Sequence, residues 1–287
     1  MDRFFVITNA DRDRGCEKAL QIEEYLTKHG RICDHVAIER DSAPDSKEIS
    51  KIREIPDDTE AVLVLGGDGT FIQSAGILAP RNIPLIGVNL GHRGYLAEID
   101  KENITDALEK LMNDEYTVGD RMMLSGTPVI DGKNGSGIYA VNDIVVRTSD
   151  AGVGKFSIEV NGTHLTTMSA DGMIVATPTG STAYNMSAGG PIVQPGMDCI
   201  VLTPVCAHSL QKCPCIVSGT STISLRLLPE RKQTVELQID GIDCSKLESG
   251  DEIIVTGSEK RIRLLRIHSF RFFTLLQSKL IEWGSVH

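Results

Sequence analysis

The sequence predicts an α/β N-terminal domain with a parallel sheet, followed by a β-rich, β-sandwich-like C-terminal domain. In the first hundred residues, short apolar runs alternate with helical patterns, which indicates strands joined by right-handed helical crossovers. Beyond residue 120, short β-rich runs separated by turn signals are typical of an antiparallel sandwich. We predict domains at 1–100 and 101–268, with a C-terminal helix at 269–287 completing the first domain.

Each element of the first domain follows from its apolar pattern. Strands are predicted at 4–7, 32–38, 61–65 and 85–91, and helices up to residue 28, near 46–54, at 71–79 and at 103–114. In the last helix, Ile104, Ala107, Leu108 and Leu111 recur at helical spacing, so one face of it should be buried. The tail begins as a strand and ends as a helix.

The stretch at 61–71, AVLVLGGDGTF, organises the first domain. Its five apolar residues suit a strand buried on both faces, and Thr70 is placed to cap the helix that follows. Ligands of open α/β sheets bind beyond the carboxyl ends of such strands, where glycines and free helix N–H groups accommodate phosphate. A strand-to-helix turn without a function remains equally open on this stretch, because Gly and Asp are ordinary turn residues.

Two further stretches carry more polar groups than a fold requires. Asn142 and Asp143 interrupt an apolar run, so alternation would place them on opposite faces unless they lie at a strand end. The second stretch, at 170–191, contains TPTGSTAY with four hydroxyls: Thr177, Thr179, Ser181 and Thr182. Capping of a helix accounts for one hydroxyl, and the others would suit phosphate and ribose.

Composition excludes several classes of protein. The chain has 287 residues, a formal net charge of -10, and 41% apolar and 24% charged residues, which predicts a globular protein and argues against nucleic-acid binding. Seven cysteines without a C-x-x-C pair suggest reduced thiols. No secretory signal or membrane-spanning apolar run is present, so we predict a cytoplasmic location without membrane contact. Neither the Walker nor the Rossmann glycine motif occurs.

The ordered set of motifs resembles the NAD kinase family. The motifs are GGDGT at 66–70, NLGHRGYL at 89–96, ND at 142–143, DGMIVATPTGSTAYNMSAGGPIV at 171–193, CAHSLQKCPCIV at 206–217 and Asp240-Gly241. GGDGT alone is shared with lipid kinases and phosphofructokinases, whereas the TPTGSTAY segment is far more specific. The resemblance implies transfer of the γ-phosphoryl group of ATP to the adenosine 2′-hydroxyl of NAD, with Mg²⁺ or another divalent metal carried by ATP.

The resemblance also implies roles for individual residues. Asp68 would accept the proton of the 2′-hydroxyl, and no protein ligand for a metal is implied. Asn142 and Asp143 would hold the acceptor ribose and adenine, and Asp171 would lie toward the nicotinamide. Tyr95 would lie beside the adenine. The remaining implied contacts are Gly69, Thr182, Ala183, Tyr184, Asn185 and Ser187 for the substrate, and Gly66, Gly67 and Thr70 for the donor phosphates.

Some positions depart from the family pattern, and two other functions stay open. Asp143 stands where Glu is usual, and Ile242 follows Asp240-Gly241 where Gln is frequent. A diacylglycerol-type lipid kinase would share GGDGT but need a membrane-facing surface. A dinucleotide sensor without activity would keep the binding segments and lose the base. The family resemblance also implies a homotetramer or homodimer that associates through the β-rich, dinucleotide-binding domain.

Overall fold

The computed structural model describes residues 1–39, 46–91, 94–148, 153–208, 213–229, 234–268 and 272–284. Within it the chain divides into two compact units. Unit 1 comprises Met1–Asp120 and the C-terminal residues from Ile262 onward, and unit 2 comprises Arg121–Arg261.

Five of the six described α-helices lie in unit 1, and the fifth along the chain lies in unit 2. They are α1 (Glu17–Lys28), α2 (Lys47–Arg53), α3 (Asp68–Leu78), α4 (Ile104–Met112), α5 (Tyr184–Ser187) and α6 (Phe272–Gly284).

The strands become more closely spaced after residue 117. They are β1 (Arg3–Asn9), β2 (Ile32–Ile38), β3 (Ala61–Gly66), β4 (Leu85–Asn89), β5 (Ala97–Asp100), β6 (Thr117–Ile130), β7 (Lys133–Asn134), β8 (Ile138–Ala140), β9 (Asp143–Thr148), β10 (Gly154–Val160), β11 (Thr163–Ala170), β12 (Gly172–Ala176), β13 (Cys199–Val205), β14 (Cys215–Ser218), β15 (Thr222–Leu227), β16 (Thr234–Ile239), β17 (Ile242–Glu248) and β18 (Glu252–Arg266).

Unit 1 is built on a parallel sheet, as predicted. Strand β1 pairs in parallel with β2 and β3, and β3 pairs in parallel with β4, which gives the order β2-β1-β3-β4. Every residue of β3 and β4 is buried, because a central strand of such a sheet is covered on both faces. The carboxyl ends of β1, β3 and β4 therefore lie side by side at one edge of the sheet.

Helix α4 explains why the first unit extends beyond residue 100. Its buried side chains are the predicted set, Ile104, Ala107, Leu108 and Leu111. They join a core with residues of β1, β3, β4 and α1, so the helix packs in unit 1. The structure accordingly divides the chain after Asp120, whereas the sequence-based boundary was residue 100.

Unit 2 is an antiparallel sandwich, which confirms the predicted fold class. One sheet has the order β14-β13-β12-β9-β16-β17, and the other contains β11, β10, β15 and β18 in antiparallel pairing. A single core combines side chains from both, such as Val146 and Val175 from the first sheet and Phe156 and Val255 from the second. The opposite face of the six-stranded sheet packs against Tyr184 and Ala188.

Parts of three predicted segments lie outside the described residues. These are His92 and Arg93 in the turn at 91–94, residues 209–212 of the CAHSLQKCPCIV motif, and residues 269–271 and 285–287 of the C-terminal helix. Within the ranges that the structure describes, every helix is too short or too polar to traverse a lipid bilayer. None of the seven cysteines forms a disulfide.

Candidate active site

In unit 1, three loops meet at the carboxyl edge of the sheet. They follow β1, β3 and β4, which are neighbouring parallel strands. The loop after β3 carries the GGDG turn, and the loop after β4 carries Gly91 and Gly94. Loops at this edge of an open α/β sheet are the usual place for a ligand.

Asp68 is held in a fixed orientation at the start of α3. Its two carboxylate oxygens accept hydrogen bonds from the backbone N–H groups of Tyr95, at 2.8 Å, and Leu96, at 3.1 Å. A Cβ atom at Gly94 would lie 2.0 Å from Oδ1 of Asp68, so only glycine leaves space for the carboxylate there. Asp68 remains partly exposed, and its carboxylate can therefore both be positioned and meet a ligand.

The prediction that Thr70 caps the helix is wrong. The N-cap of α3 is Gly67, in an extended conformation and without a side-chain cap. Thr70 lies one turn further in and is buried, and its hydroxyl accepts a hydrogen bond of 3.2 Å from Nδ2 of Asn9. A Cβ at Gly66 would lie 2.8 Å from Oγ1 of Thr70. Gly66 and Thr70 thus join α3 to the end of β1, while Gly69 is exposed.

Tyr95 contributes to this site mainly through its backbone. Its N–H group holds Asp68, and its side chain is half-buried. Asn89, at the end of β4, is buried, and its Oδ1 accepts a hydrogen bond of 3.0 Å from the N–H of Gly91. The loop after β4 is therefore shaped by side-chain contacts on both sides of residues 92–93.

In unit 2, Asn142 and Asp143 lie at a strand start and not inside a strand. Strand β8 ends at Ala140 and β9 begins at Asp143, so the strand-end alternative is the correct one. The carboxylate of Asp240 accepts hydrogen bonds from the N–H groups of Val141, Asn142 and Asp143, at 2.9, 2.6 and 3.1 Å. Asp240 itself has a positive φ of 50° and precedes Gly241 at 81°, which is a tight-turn geometry.

Asp143 is a buried carboxyl group beside a second one. Only 4% of it is exposed. Burial, with a smaller contribution from the negative charge of Asp240, raises the pKa of Asp143 to about 7. Burial also raises the pKa of Asp240, although the three backbone N–H groups oppose that shift. Both carboxyl groups therefore have a raised pKa and keep their protons to a higher pH than an exposed aspartate does.

We expect Asp143→Asn to change how stability depends on pH. Between pH 4 and 7 the folded protein keeps a proton that the unfolded chain releases, so wild-type stability falls as pH rises through this window. Asparagine removes the titration, so the variant should gain stability relative to wild type, on the order of 3 kcal/mol from pH 5 to pH 8. Thermal unfolding of both proteins at the two pH values measures this. If the difference in stability between the variant and wild type is the same at both pH values, the pKa of Asp143 is not raised in the folded protein.

The hydroxyl-rich turn uses most of its hydroxyls internally. Thr177 donates to the carbonyl of Val141, at 2.7 Å, and accepts from the N–H of Gly180, at 3.0 Å. Ser181 donates to the carbonyl of Pro178, at 2.7 Å, and Thr182 to that of Thr179, at 3.3 Å. Neither helix start in this segment has a side-chain cap. Three of the four hydroxyls instead stabilise the turn itself, which the sequence argument did not consider.

The same turn is packed against the backbone of Asn142. A Cβ at Gly180 would lie 2.1 Å from the carbonyl oxygen of Asn142, and that oxygen accepts a hydrogen bond of 2.8 Å from the N–H of Thr177. The two predicted dinucleotide-binding segments of unit 2, at 142–143 and 177–187, thus form one structural piece. Glycine at 180 is what permits this contact.

Residues 182–187 divide into exposed and buried positions. Thr182, Ala183 and Tyr184 are partly exposed, and Ser187 is exposed. Asn185 is fully buried: its amide donates to the carbonyls of Ser181 and Pro191, and its Oδ1 accepts from Thr203 at 2.6 Å. The expected ligand contact therefore does not fit the side chain of Asn185, which holds the turn.

Asp171 lies in unit 2, between the end of β11 and the start of β12. Its carboxylate is partly exposed, with Oδ1 3.8 Å from Nε2 of His208. Its carbonyl accepts hydrogen bonds from the N–H and the hydroxyl of Thr148. Among the residues that the structure describes, no group of three or more His, Cys, Asp or Glu side chains could hold a metal ion.

The parallel α/β unit has a glycine-rich helix start that is suited to binding phosphate, with a carboxylate beside it. These features fit a nucleotide-dependent phosphotransferase. Comparison with known proteins agrees. The ATP-NAD kinase N-terminal domain matches residues 5–116, and the ATP-NAD kinase C-terminal domain matches residues 141–267. An NAD kinase of Agathobacter rectalis is 38% identical over 286 residues, covering 98% of this chain and 99% of the relative.

The chain belongs to the NAD kinase family, and it is accordingly an enzyme of the kinase class. Two solved structures share the fold at 24% identity each. Yeast NADH kinase complexed with NADH has a TM-score of 0.79, covering 92% of this chain and 83% of that one. An NAD kinase from Archaeoglobus fulgidus in complex with ATP has a TM-score of 0.75, covering 96% and 98%.

Proposed function

We propose that the protein transfers the γ-phosphoryl group of ATP to the adenosine 2′-hydroxyl of NAD, which yields NADP and ADP. The observation that carries this proposal is the carboxylate of Asp68, which two backbone N–H groups orient at the start of α3. Family membership supplies the identity of the substrates. The 2′-oxygen attacks the γ-phosphorus, the bond to the ADP oxygen breaks, and Asp68 accepts the hydroxyl proton.

Positioning and charge stabilisation dominate phosphoryl transfer, so the remaining residues act mainly by binding. We assign the acceptor ribose and adenine to Asn142 and Asp143, and the nicotinamide end to Asp171. Tyr95 bounds the adenine. The other contacts to the dinucleotide come from Gly69 and from Thr182, Ala183, Tyr184 and Ser187.

The donor phosphates are assigned to the start of α3. Helix N–H groups there favour anions, and Gly67 exposes the backbone. Gly66 and Thr70 stabilise this turn, because Thr70 accepts a hydrogen bond from Asn9 and Gly66 packs closely against both residues. Mg²⁺ or another divalent metal enters as part of the ATP substrate and neutralises charge on the transferred phosphoryl group.

A product assay tests the proposed function. Formation of NADP from NAD, and of NADPH from NADH, is measured with ATP or polyphosphate as donor, in the presence and absence of Mg²⁺. We expect NADP from NAD and ATP only when the divalent metal is present. Diacylglycerol in vesicles serves as the alternative acceptor: its phosphorylation without NADP formation would establish a lipid kinase instead. Dinucleotide binding without turnover on any acceptor would establish a sensor.

We propose further that the protein is a cytoplasmic homo-oligomer, most simply a homotetramer or a homodimer. Seven free cysteines suit a reducing compartment. The two edge strands of the six-stranded sheet, β14 and β17, each expose a large apolar side chain, Ile216 at 50% and Ile242 at 53%. Exposed edges with apolar groups are commonly covered by association.

Association is expected to support activity. If the subunits shape one another's sites, specific activity should fall on dilution below the assembly constant. Light scattering beside an activity titration measures both quantities in one series. A fully active 31.2 kDa monomer at nanomolar concentration would refute the proposal.

A further inference from the structure

A single arginine of unit 1 lies directly over two of the glycines at the carboxyl edge of the sheet. A Cβ atom at Gly67 would lie 3.0 Å from a terminal guanidinium nitrogen of Arg12, and one at Gly91 would lie 3.1 Å from the same nitrogen. The guanidinium therefore covers the N-cap of α3 and the start of the loop after β4. Its own backbone belongs to the third loop, which follows β1.

The backbone around Arg12 is fixed by hydrogen bonds on both sides. Its N–H donates to the carbonyl and to Oδ1 of Asn9, each at 3.1 Å. The buried side chain of Asp13 accepts from the hydroxyl of Thr8, at 2.8 Å, and from the N–H groups of Lys18 and Ala19, at 2.8 and 3.1 Å. Arg12 thus extends from a rigid turn, which limits the positions that its side chain can reach.

Asn9 also connects this turn to helix α3, which carries Asp68. Its Nδ2 donates to the hydroxyl of Thr70 in α3. This hydrogen bond therefore fixes the position of the loop after β1 relative to the GGDG turn. Because this backbone is already fixed, binding a ligand through Arg12 requires ordering of its exposed side chain but not of the loop.

The guanidinium has no anionic partner in the part of the chain that the structure describes. No carboxylate of the described residues lies within ion-pair distance of Arg12, although the protein contains 39 acidic residues. The start of α3 beside it carries the positive end of the helix dipole. The carboxylate of Asp68, in the first turn of α3, accepts hydrogen bonds from the N–H groups of Tyr95 and Leu96 and forms no ion pair with Arg12. The helix N-terminus and the guanidinium therefore favour an anion, and a planar guanidinium matches phosphate oxygens.

We propose that Arg12 binds the β- and γ-phosphates of ATP and positions them over the start of α3. This inference rests on the proposed function, because it takes ATP as the phosphoryl donor. Arg12 then supplies the positive charge that a Walker lysine supplies in other nucleotide-binding proteins, and this sequence lacks the Walker motif. Arg12 should therefore strengthen the binding of ATP and leave the binding of NAD unchanged.

Arg12→Gln tests the proposal, with Arg14→Gln as the matched control. Arg14 lies two residues away, is exposed and undergoes the same change of charge. With ATP varied at saturating NAD, we expect Arg12→Gln to raise KM for ATP about 10- to 100-fold, the loss typical of a charged hydrogen-bonding partner. KM for NAD should stay within about threefold, and Arg14→Gln should match wild type in both constants.

Equilibrium binding provides a readout that does not depend on turnover. Calorimetric titration with ATP, inorganic tripolyphosphate and adenosine should show weaker binding of the first two by Arg12→Gln and unchanged binding of adenosine. Arg12→Lys should recover part of the loss, because it restores the charge without the planar fork. Equal ATP and tripolyphosphate affinities in Arg12→Gln and Arg14→Gln would overturn the proposal. Absence of NADP formation by wild type would refute the proposed function alone, since the binding comparison would still decide the role of Arg12.

Discussion

Asp68→Asn is expected to lower kcat by about 10²- to 10⁴-fold, the range of a general-base contribution, while NAD binding stays within about tenfold. The amide retains the shape of the carboxylate but cannot accept the proton of the 2′-hydroxyl. Steady-state kinetics with NAD and ATP, together with NAD binding by calorimetry, measure the two effects separately.

The hydrogen bonds of Asp68 define the control for this variant. An asparagine oxygen can accept from one of the N–H groups of Tyr95 and Leu96, but its amide nitrogen faces the other donor. Some rearrangement of the loop is therefore expected, and thermal unfolding reports its size. A variant that folds normally and keeps more than about a tenth of wild-type kcat would show that Asp68 is not the base.

Gly94→Ala should have an effect on turnover similar to loss of the base, although residue 94 carries no functional group. The added Cβ would lie between 2.0 and 2.5 Å from three atoms of the Asp68 carboxylate, well inside van der Waals contact, so the carboxylate must leave its position. We expect kcat to fall by about 10²-fold or more with little change in KM for ATP, because a small misplacement of a catalytic group is sufficient.

Gly76→Ala is the matched control for this substitution. Gly76 lies in α3, and a Cβ there would meet nothing within 4 Å, so activity should be unchanged. The protein should become more stable by about 0.5–1 kcal/mol, since alanine favours the helix. Wild-type kcat in Gly94→Ala would show that the observed orientation of Asp68 is not required for transfer.

The sequence allowed the order and type of the elements to be predicted where one local pattern dominates. The continuous apolar run of β3 indicated a strand buried on both faces, and the spacing in α4 indicated its buried face. The cap of α3 was misplaced, because a hydroxyl residue before an apolar run looks the same at the N-cap and one turn inside the helix. Gly67 adopts the cap conformation instead.

The supporting residues of the candidate site could not be predicted, because their partners are distant in sequence. Asp240 binds backbone groups 97 to 99 residues earlier, and its sequence context indicates only a turn. Arg12 stands in a loop without any motif, and its position over Gly67 depends on the pairing of β1 with β3. The motif predicts that Asn185 binds the substrate, whereas its side chain is buried and accepts a hydrogen bond from Thr203, which lies 18 residues later.

The path of the chain between the two units has a consequence for synthesis on the ribosome. Unit 2 is continuous in sequence, but unit 1 is completed only by residues after Ile262. Leu265 belongs to the core of unit 1, and Leu264 pairs with Leu85 at the edge of β4. The first 120 residues therefore emerge without the strand that completes their sheet, whereas the sandwich has its whole sequence available earlier. Domains generally fold as units during translation, so the later-synthesised unit is the first whose fold can be finished.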